Sequence, residues 1–217
     1  MIDTLTRSFT DEFHTLERAL FTGPGPCSTV QFTSSHTGEG VTSLTLAFAN
    51  FLTTLHGEAA VIAVETNMRD SSFHELLDIP YEHNLKTVLN GTSKLDDAIH
   101  VCPKYRFHAL PAGPGDAQGD MASYAALLQN FGDSVLSEIQ KKYQYVLLDS
   151  PPVVPYIDSS ILCRMVQGVV VVVESNLTRS EVVRHTLDKL ESGHANIIGT
   201  ILNKRELHIP RWLYRFL

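Results

Sequence analysis

The sequence predicts a single α/β domain with a doubly wound, mostly parallel sheet, on three observations. Continuous apolar runs of strand length alternate with segments of helical period along the whole chain. The first strand leads through a glycine-containing turn straight into a helix, the opening βα unit of such sheets. Two later strands end in the polar residues Glu65 and Asp149, and ligands of doubly wound sheets sit at those carboxyl ends. At 217 residues and 43% apolar content the chain fills one such domain and is short for two.

Each element follows from its pattern. Phe9, Phe13, Leu16 and Leu20 fall on one stripe of an amphipathic helix over residues 9–21, and Gly23-Pro24-Gly25-Pro26 ends it, so residues 1–26 read as a helix and linker. Residues 27–203 read as the α/β domain. Its first strand is Val30 to Thr33, and the helix after the turn carries Leu44, Phe48, Phe51 and Leu55 on one face until His56-Gly57. Ala59 to Val64 is a strand buried on both faces that delivers Glu65-Thr66-Asn67-Met68-Arg69. The middle third predicts helical pieces near 72–78 and 84–89, a strand near Arg106 to Leu110 and a loop from Pro111 to Gly115.

Tyr124, Leu127, Leu128, Phe131 and Val135 set a helical period up to Lys141-Lys142. Tyr145 to Asp149 is a second buried strand, stopped by Ser150-Pro151-Pro152, and Gly168 to Glu174 is a third, with five consecutive valines. Thr178 and Glu181 have capping-box spacing ahead of a helix with Val183, Leu187 and Leu190. Ile197 to Asn203 closes the sheet, and residues 204–217 form a basic and aromatic tail.

Composition narrows the function. A formal charge of −7 speaks against a general nucleic-acid binder, which needs a basic face. No apolar stretch approaches the ~18 residues of a membrane span, and the N-terminus lacks a secretory layout, so a cytoplasmic protein is expected. Cys27, Cys102 and Cys163 lie far apart, and the ten histidines form no H-x-x-x-H set, so neither a disulfide framework nor a zinc site is expected.

The chemistry lies in residues 34–43. A loop of the form G-x-x-x-x-G-K-[ST] between strand and helix cradles phosphates with backbone N–H groups; its lysine reaches the β- and γ-phosphates and its hydroxyl binds Mg²⁺. Here Thr37, Gly38, Glu39, Gly40, Val41, Thr42 and Ser43 occupy that frame, with Val41 at the lysine position. Asp149, closing an apolar strand, fits the carboxylate that holds the Mg²⁺ shell, together with Thr42.

These segments resemble the cytoplasmic domain of bacterial tyrosine kinases (BY-kinases) and their polysaccharide co-polymerase relatives, deviant phosphate-loop proteins of the MinD/ParA class. The resemblance rests on Thr33 to Gly40, Val64 to Arg69, Tyr143 to Val153 with its Asp149-Ser150-Pro151-Pro152 turn, Asp158, and Ala195 to Lys204. It implies a P-loop NTPase-like fold, catalytic positions at Glu65, Asn67 and Arg69, and an adenine contact at Asn203. The family pattern has Lys where this chain has Val41 and Asp-x-Asp-x-Arg where it has Glu65, Asn67 and Arg69, so only Arg69 matches that second motif. The ring-forming Glu-x-x-Arg-x-x-Arg motif aligns with Asp11, His14 and Glu17, and the tail holds one tyrosine, Tyr214, instead of a cluster.

The resemblance therefore implies a degenerate, kinase-inactive member that regulates exopolysaccharide or capsule polymerisation and export with an inner-membrane co-polymerase partner. ATP or ADP with Mg²⁺ is expected to bind weakly, as an optional ligand. The chain is expected at the inner membrane as a peripheral cytoplasmic protein, with a homo-oligomer left open. Trp212, Leu213 and Phe216 with Arg211 and Arg215 suit a membrane interface or fold back on the domain. Two alternatives stand: an active autokinase or ATPase that uses Lys204 or Arg205 as its cation, and a MinD/ParA-like positioning protein.

Overall fold

The computed structural model describes residues 1–22, 28–115 and 121–205. Seven strands form one sheet in the order β3-β4-β2-β5-β1-β6-β7: β1 Thr29–Ser34, β2 Val61–Glu65, β3 His100–Val101, β4 His108–Leu110, β5 Tyr145–Asp149, β6 Gly168–Glu174 and β7 Ile197–Asn203. All pairs are parallel except β3 with β4. The continuous apolar runs have a direct cause, since alternate residues enter cores on opposite faces. In β2, Val61 and Ala63 join one core while Ile62 and Val64 join the other; in β5, Tyr145 and Leu147 oppose Val146 and Leu148. In β6, Val170 and Val172 face the first core, and Val169, Val171 and Val173 pack with Leu190 on the reverse face.

The first core lies under α3 (Val41–His56), whose residues Leu46 to Ala49, Phe51 and Leu52 are all buried. The stripe is therefore wider than the sequence expected, and Leu55 is not part of it: the last turn, Thr54 to His56, is exposed. Against α3 pack α1 (Ile2–Ser8) and α2 (Thr10–Glu17), which continues as a π-helical turn, Arg18–Thr22. The single helix expected over 9–21 is thus two helices that begin at Ile2. They break at Phe9, where the Thr10 hydroxyl donates back to the carbonyls of Thr6 and Arg7. Phe13 sits with its ring 5.4 Å from Phe48 and 5.5 Å from Phe51, while Phe9 is more than a third exposed. The proline-glycine linker with Cys27, and the tail from residue 206 with Tyr214, lie outside the described residues.

The second core is roofed by α5 (Leu85–Leu89), α6 (Leu95–Ala98), and a long helical run made of α7 (Met121–Asn130), a π-helical stretch Phe131–Leu136 and α8 (Ser137–Lys142). On the first face, α4 (Phe73–Leu77) buries Phe73. Short elements escaped the sequence: α6, the two-residue β3, and α9 (Asp158–Leu162) are too brief to show a period. The strand expected from Arg106 starts at His108, because Arg106 turns in the left-handed region (φ 65°) to close the hairpin. The helix α10 (Ser180–Ser192) is present, but its expected capping box is not: the cap residue is Arg179 and makes no side-chain capping bond.

Because Phe13 ties α2 to the core of α3, Phe13→Ala is expected to cost about 3 kcal/mol of stability, seen as an earlier urea midpoint with little change in slope.

Candidate functional site

The parallel register places the ends of five strands along one edge: Phe32 and Glu65 lie opposite Asp149, Ser34 opposite Val172, and Glu174 opposite Asn203. Over this edge the loop from Ser35 to Gly40 bends into α3. Gly38 and Gly40 adopt φ of 89° and 92°, conformations that other residues take at a cost. At Gly40 space forbids a side chain as well, since a Cβ would stand 2.2 Å from Asn203 Nδ2.

Glu39 holds this shape. Its buried carboxylate accepts from Ser35 N at 2.9 Å and from the hydroxyl of Thr178, and its carbonyl accepts from Asn203 Nδ2 at 2.8 Å. Thr178 therefore ties the loop to the approach of α10 instead of capping that helix. Glu39 and Asn203, both named from the sequence as nucleotide-binding, are engaged here with the loop itself. Thr37, Gly38, Gly40, Val41, Thr42 and Ser43 line a cavity of about 330 Å³, joined by Asn67 and Asp70 from beyond β2 and by Lys204.

Val41, at the lysine position, is the first residue of α3 and packs into the first core at 8% exposure. Next to it, Thr42 Oγ1 donates to Asp149 Oδ2 at 2.8 Å. A hydroxyl and a carboxylate are hard oxygen donors of the kind Mg²⁺ takes, so Thr42 and Asp149 fit that ion. Asp149 is almost fully buried, and burial first, then the nearby Glu65 carboxyl, push its pKa well above the ordinary carboxylate range; the Thr42 bond opposes this. Among the described residues no group of three or more His, Cys, Asp or Glu converges as a metal cluster would.

The three family positions at and beyond the end of β2 separate. Glu65 is fully buried and accepts from Ser71 Oγ (2.8 Å), Phe73 N (3.0 Å), Ala112 N (2.9 Å) and Ser72 N, bracing two loops; burial raises its pKa in spite of these bonds. Asn67 faces the cavity. Arg69 donates from Nε to Asp158 Oδ2 at 2.8 Å, with its guanidinium 4.2 Å from the Tyr124 ring and 4.6 Å from that of Tyr156. Sequence reasoning missed Thr178 as a partner of the loop, which it reaches from 139 residues away with no spacing to signal it, and Glu174, which pairs with Lys204 beside it.

A larger cavity, about 680 Å³, lies elsewhere, between residues 153–157 and α10. Its Lys189 donates to the carbonyls of Val153 and Val154. The loop cavity is smaller but holds the chemistry. Among the described residues no helix is long and apolar enough to cross a membrane.

No family model matches the chain. Among curated proteins it is 21% identical over 143 residues to a putative tyrosine-protein kinase, CapB, of Staphylococcus aureus, and 25% identical over 143 residues to the tyrosine-protein kinase Etk of Escherichia coli K12. Each alignment covers 66% of this chain, but 61% of CapB and 19% of Etk. Among solved structures, the chimerical protein CapA2B2 superposes with a TM-score of 0.80 at 20% identity, covering 91% of this chain and 85% of that one. The kinase domain of VpsO gives 0.78 at 25% identity, with 94% and 96% covered. The septum site-determining protein MinD of Pyrococcus horikoshii, solved with Mg-ADP, gives 0.65 at 20% identity, with 87% and 78% covered. The chain is thus related in sequence to bacterial tyrosine-protein kinases and has the fold of their kinase domains, which is also that of MinD.

Two outcomes follow from the charges. The folded Asp149 titrates above its unfolded value, so folding takes up a proton, and stability falls as pH rises from the ordinary carboxylate range through the raised value. Asp149→Asn, which keeps an acceptor for Thr42, is therefore expected to melt higher than the parent at pH 7, with the gap closing towards pH 4. Arg69→Ala leaves Asp158 buried without its cation and is expected to cost about 3–5 kcal/mol in denaturant titration.

Proposed function

We propose that the chain is a kinase-inactive relative of the bacterial tyrosine kinases, a cytoplasmic adaptor that regulates exopolysaccharide or capsule polymerisation and export through an inner-membrane co-polymerase partner. Nucleotide is an optional conformational ligand on this proposal. The observation that carries it is Val41, an apolar core residue at the position from which a lysine would reach the β- and γ-phosphates. Phosphoryl transfer is almost wholly positioning and electrostatics, and each ~1.4 kcal/mol of lost transition-state stabilisation is tenfold in rate. Asn67 adds to the loss, because an amide facing the cavity cannot take a proton from an acceptor hydroxyl. Arg69, the one match to that motif, is already paired with Asp158.

What remains supports weak binding of ADP or ATP with Mg²⁺: a braced loop, Thr42 beside Asp149, and the N-terminus of a 16-residue helix. The partner is proposed to dock at the N-terminal helices and the tail beyond residue 205, the tail also giving peripheral membrane contact. One observation favours the rival, an autokinase or ATPase with a replacement cation: Lys204 Nζ lies 2.7 Å from Gly38 O, at the loop. A cation alone leaves Asn67 without proton-accepting capacity, so the adaptor is preferred. Likeness to MinD is a likeness of fold and leaves a positioning role as the third reading.

Incubation of the purified protein with γ-labelled ATP and Mg²⁺, with and without detergent-solubilised co-polymerase, is expected to leave no label on tyrosine. Val41→Lys combined with Asn67→Asp is expected to gain measurable ADP release. Label on the parent protein would establish the autokinase instead.

A further inference from the structure

Lys204 is the residue after β7, and it takes a left-handed backbone, φ 53°, that lysine seldom adopts. Its ammonium lies 2.7 Å from Gly38 O of the loop and 2.9 Å from Glu174 Oε2. Among the described residues it is the one Lys or Arg lining the loop cavity, whose other ionisable neighbours include Asp70, with Asp149 just beneath Thr42. We propose that Lys204 replaces the missing loop lysine as the cation that binds the phosphate oxygens of a nucleoside diphosphate held in the loop. The inference rests on the nucleotide part of the function proposed above and says which residue makes it work without Val41.

Three features carry it. A lysine presents three donors on a flexible four-carbon stem, so the ammonium can keep Gly38 O and still turn a proton towards an oxygen in the cavity. Its present partner is weakly held: the Lys204 side chain is 48% exposed and that of Glu174 19%, and ion pairs at such exposure exchange at little cost. A diphosphate carries more charge than one carboxylate and draws the ammonium across. The loop, moreover, has no need of Lys204 to keep its shape, because Glu39, Ser35, Thr178 and Asn203 already fix it. Val41 vacates the usual origin of the cation, and Lys204 supplies one from the far end of the sheet, 163 residues later in the chain.

Titration calorimetry of the full chain with MgADP, repeated with magnesium pyrophosphate, tests this. Lys204→Ala is expected to weaken both ligands by about ten- to a hundredfold, the size of a lost charge-assisted hydrogen bond, and to flatten the salt dependence. Lys204→Arg is expected to stay within about threefold of the parent, and Glu174→Gln, which frees the ammonium, to bind more tightly. Adding Val41→Lys to Lys204→Ala is expected to recover the affinity, which a merely structural Lys204 would not allow. Parent binding that Lys204→Ala leaves within about twofold overturns the inference alone, with the backbone N–H groups then holding the anion. No heat from the parent up to millimolar ligand overturns both the inference and the nucleotide reading, and leaves the adaptor role standing.

Discussion

The Glu39 carboxylate is the constraint on which the site depends. A loop that presents N–H groups to a ligand needs its shape fixed by other bonds. Glu39 does this by gathering Ser35 N, the Thr178 hydroxyl and, through its carbonyl, the Asn203 amide, so β1, the approach to α10 and the end of β7 meet at one residue. The glycines on either side follow from it. Gly38 and Gly40 supply the left-handed turns that bring Glu39 inward, and Gly40 leaves the gap that Asn203 fills. A phosphate-loop frame can therefore persist in a chain that has no loop lysine.

Charge balance is the second consequence. Two carboxyls, Glu65 and Asp149, are buried at strand ends paired across the sheet. Burial is the first cause that raises the pKa of both groups, and at Asp149 the Glu65 carboxyl adds to it. Glu65 tolerates its burial because four donors surround it; Asp149 has Thr42 as its side-chain donor and would lose its proton to an arriving divalent cation. Arg69 keeps its charge away from this region, clamped by Asp158 between two tyrosine rings. The same edge of the sheet thus separates into a braced structural half around Glu65 and Arg69 and an open half around Thr42, Asn67 and Lys204.

Much of the architecture was legible in the sequence for one reason: strands buried on both faces read as unbroken apolar runs, and these set β2, β5 and β6 within a residue or two. The glycine loop and the Asp149-Ser150-Pro151-Pro152 turn identified the edge that carries the site. Illegible were elements of barely one period, such as β3, α6 and α9, and the break at Phe9, which depends on a hydroxyl competing for backbone carbonyls. Thr178 shows how local rules mislead. Its spacing to Glu181 suits a capping box, yet its hydroxyl donates to the buried Glu39 carboxylate, a charge-assisted bond, and Arg179 stands at the cap position of α10.

By itself the sequence determined the doubly wound order of strands and helices, the place of the phosphate loop, and the absence of lysine at position 41, because each is a local pattern of residue types. Only the tertiary structure decided what those residues do. Glu65 became a brace and Asn67 a cavity wall, although they stand two positions apart, since β2 ends between them and the chain turns. Lys204 and Thr178 came to the loop from the far end of the chain, because parallel pairing of β1, β6 and β7 brings their carboxyl ends side by side whatever their separation in sequence.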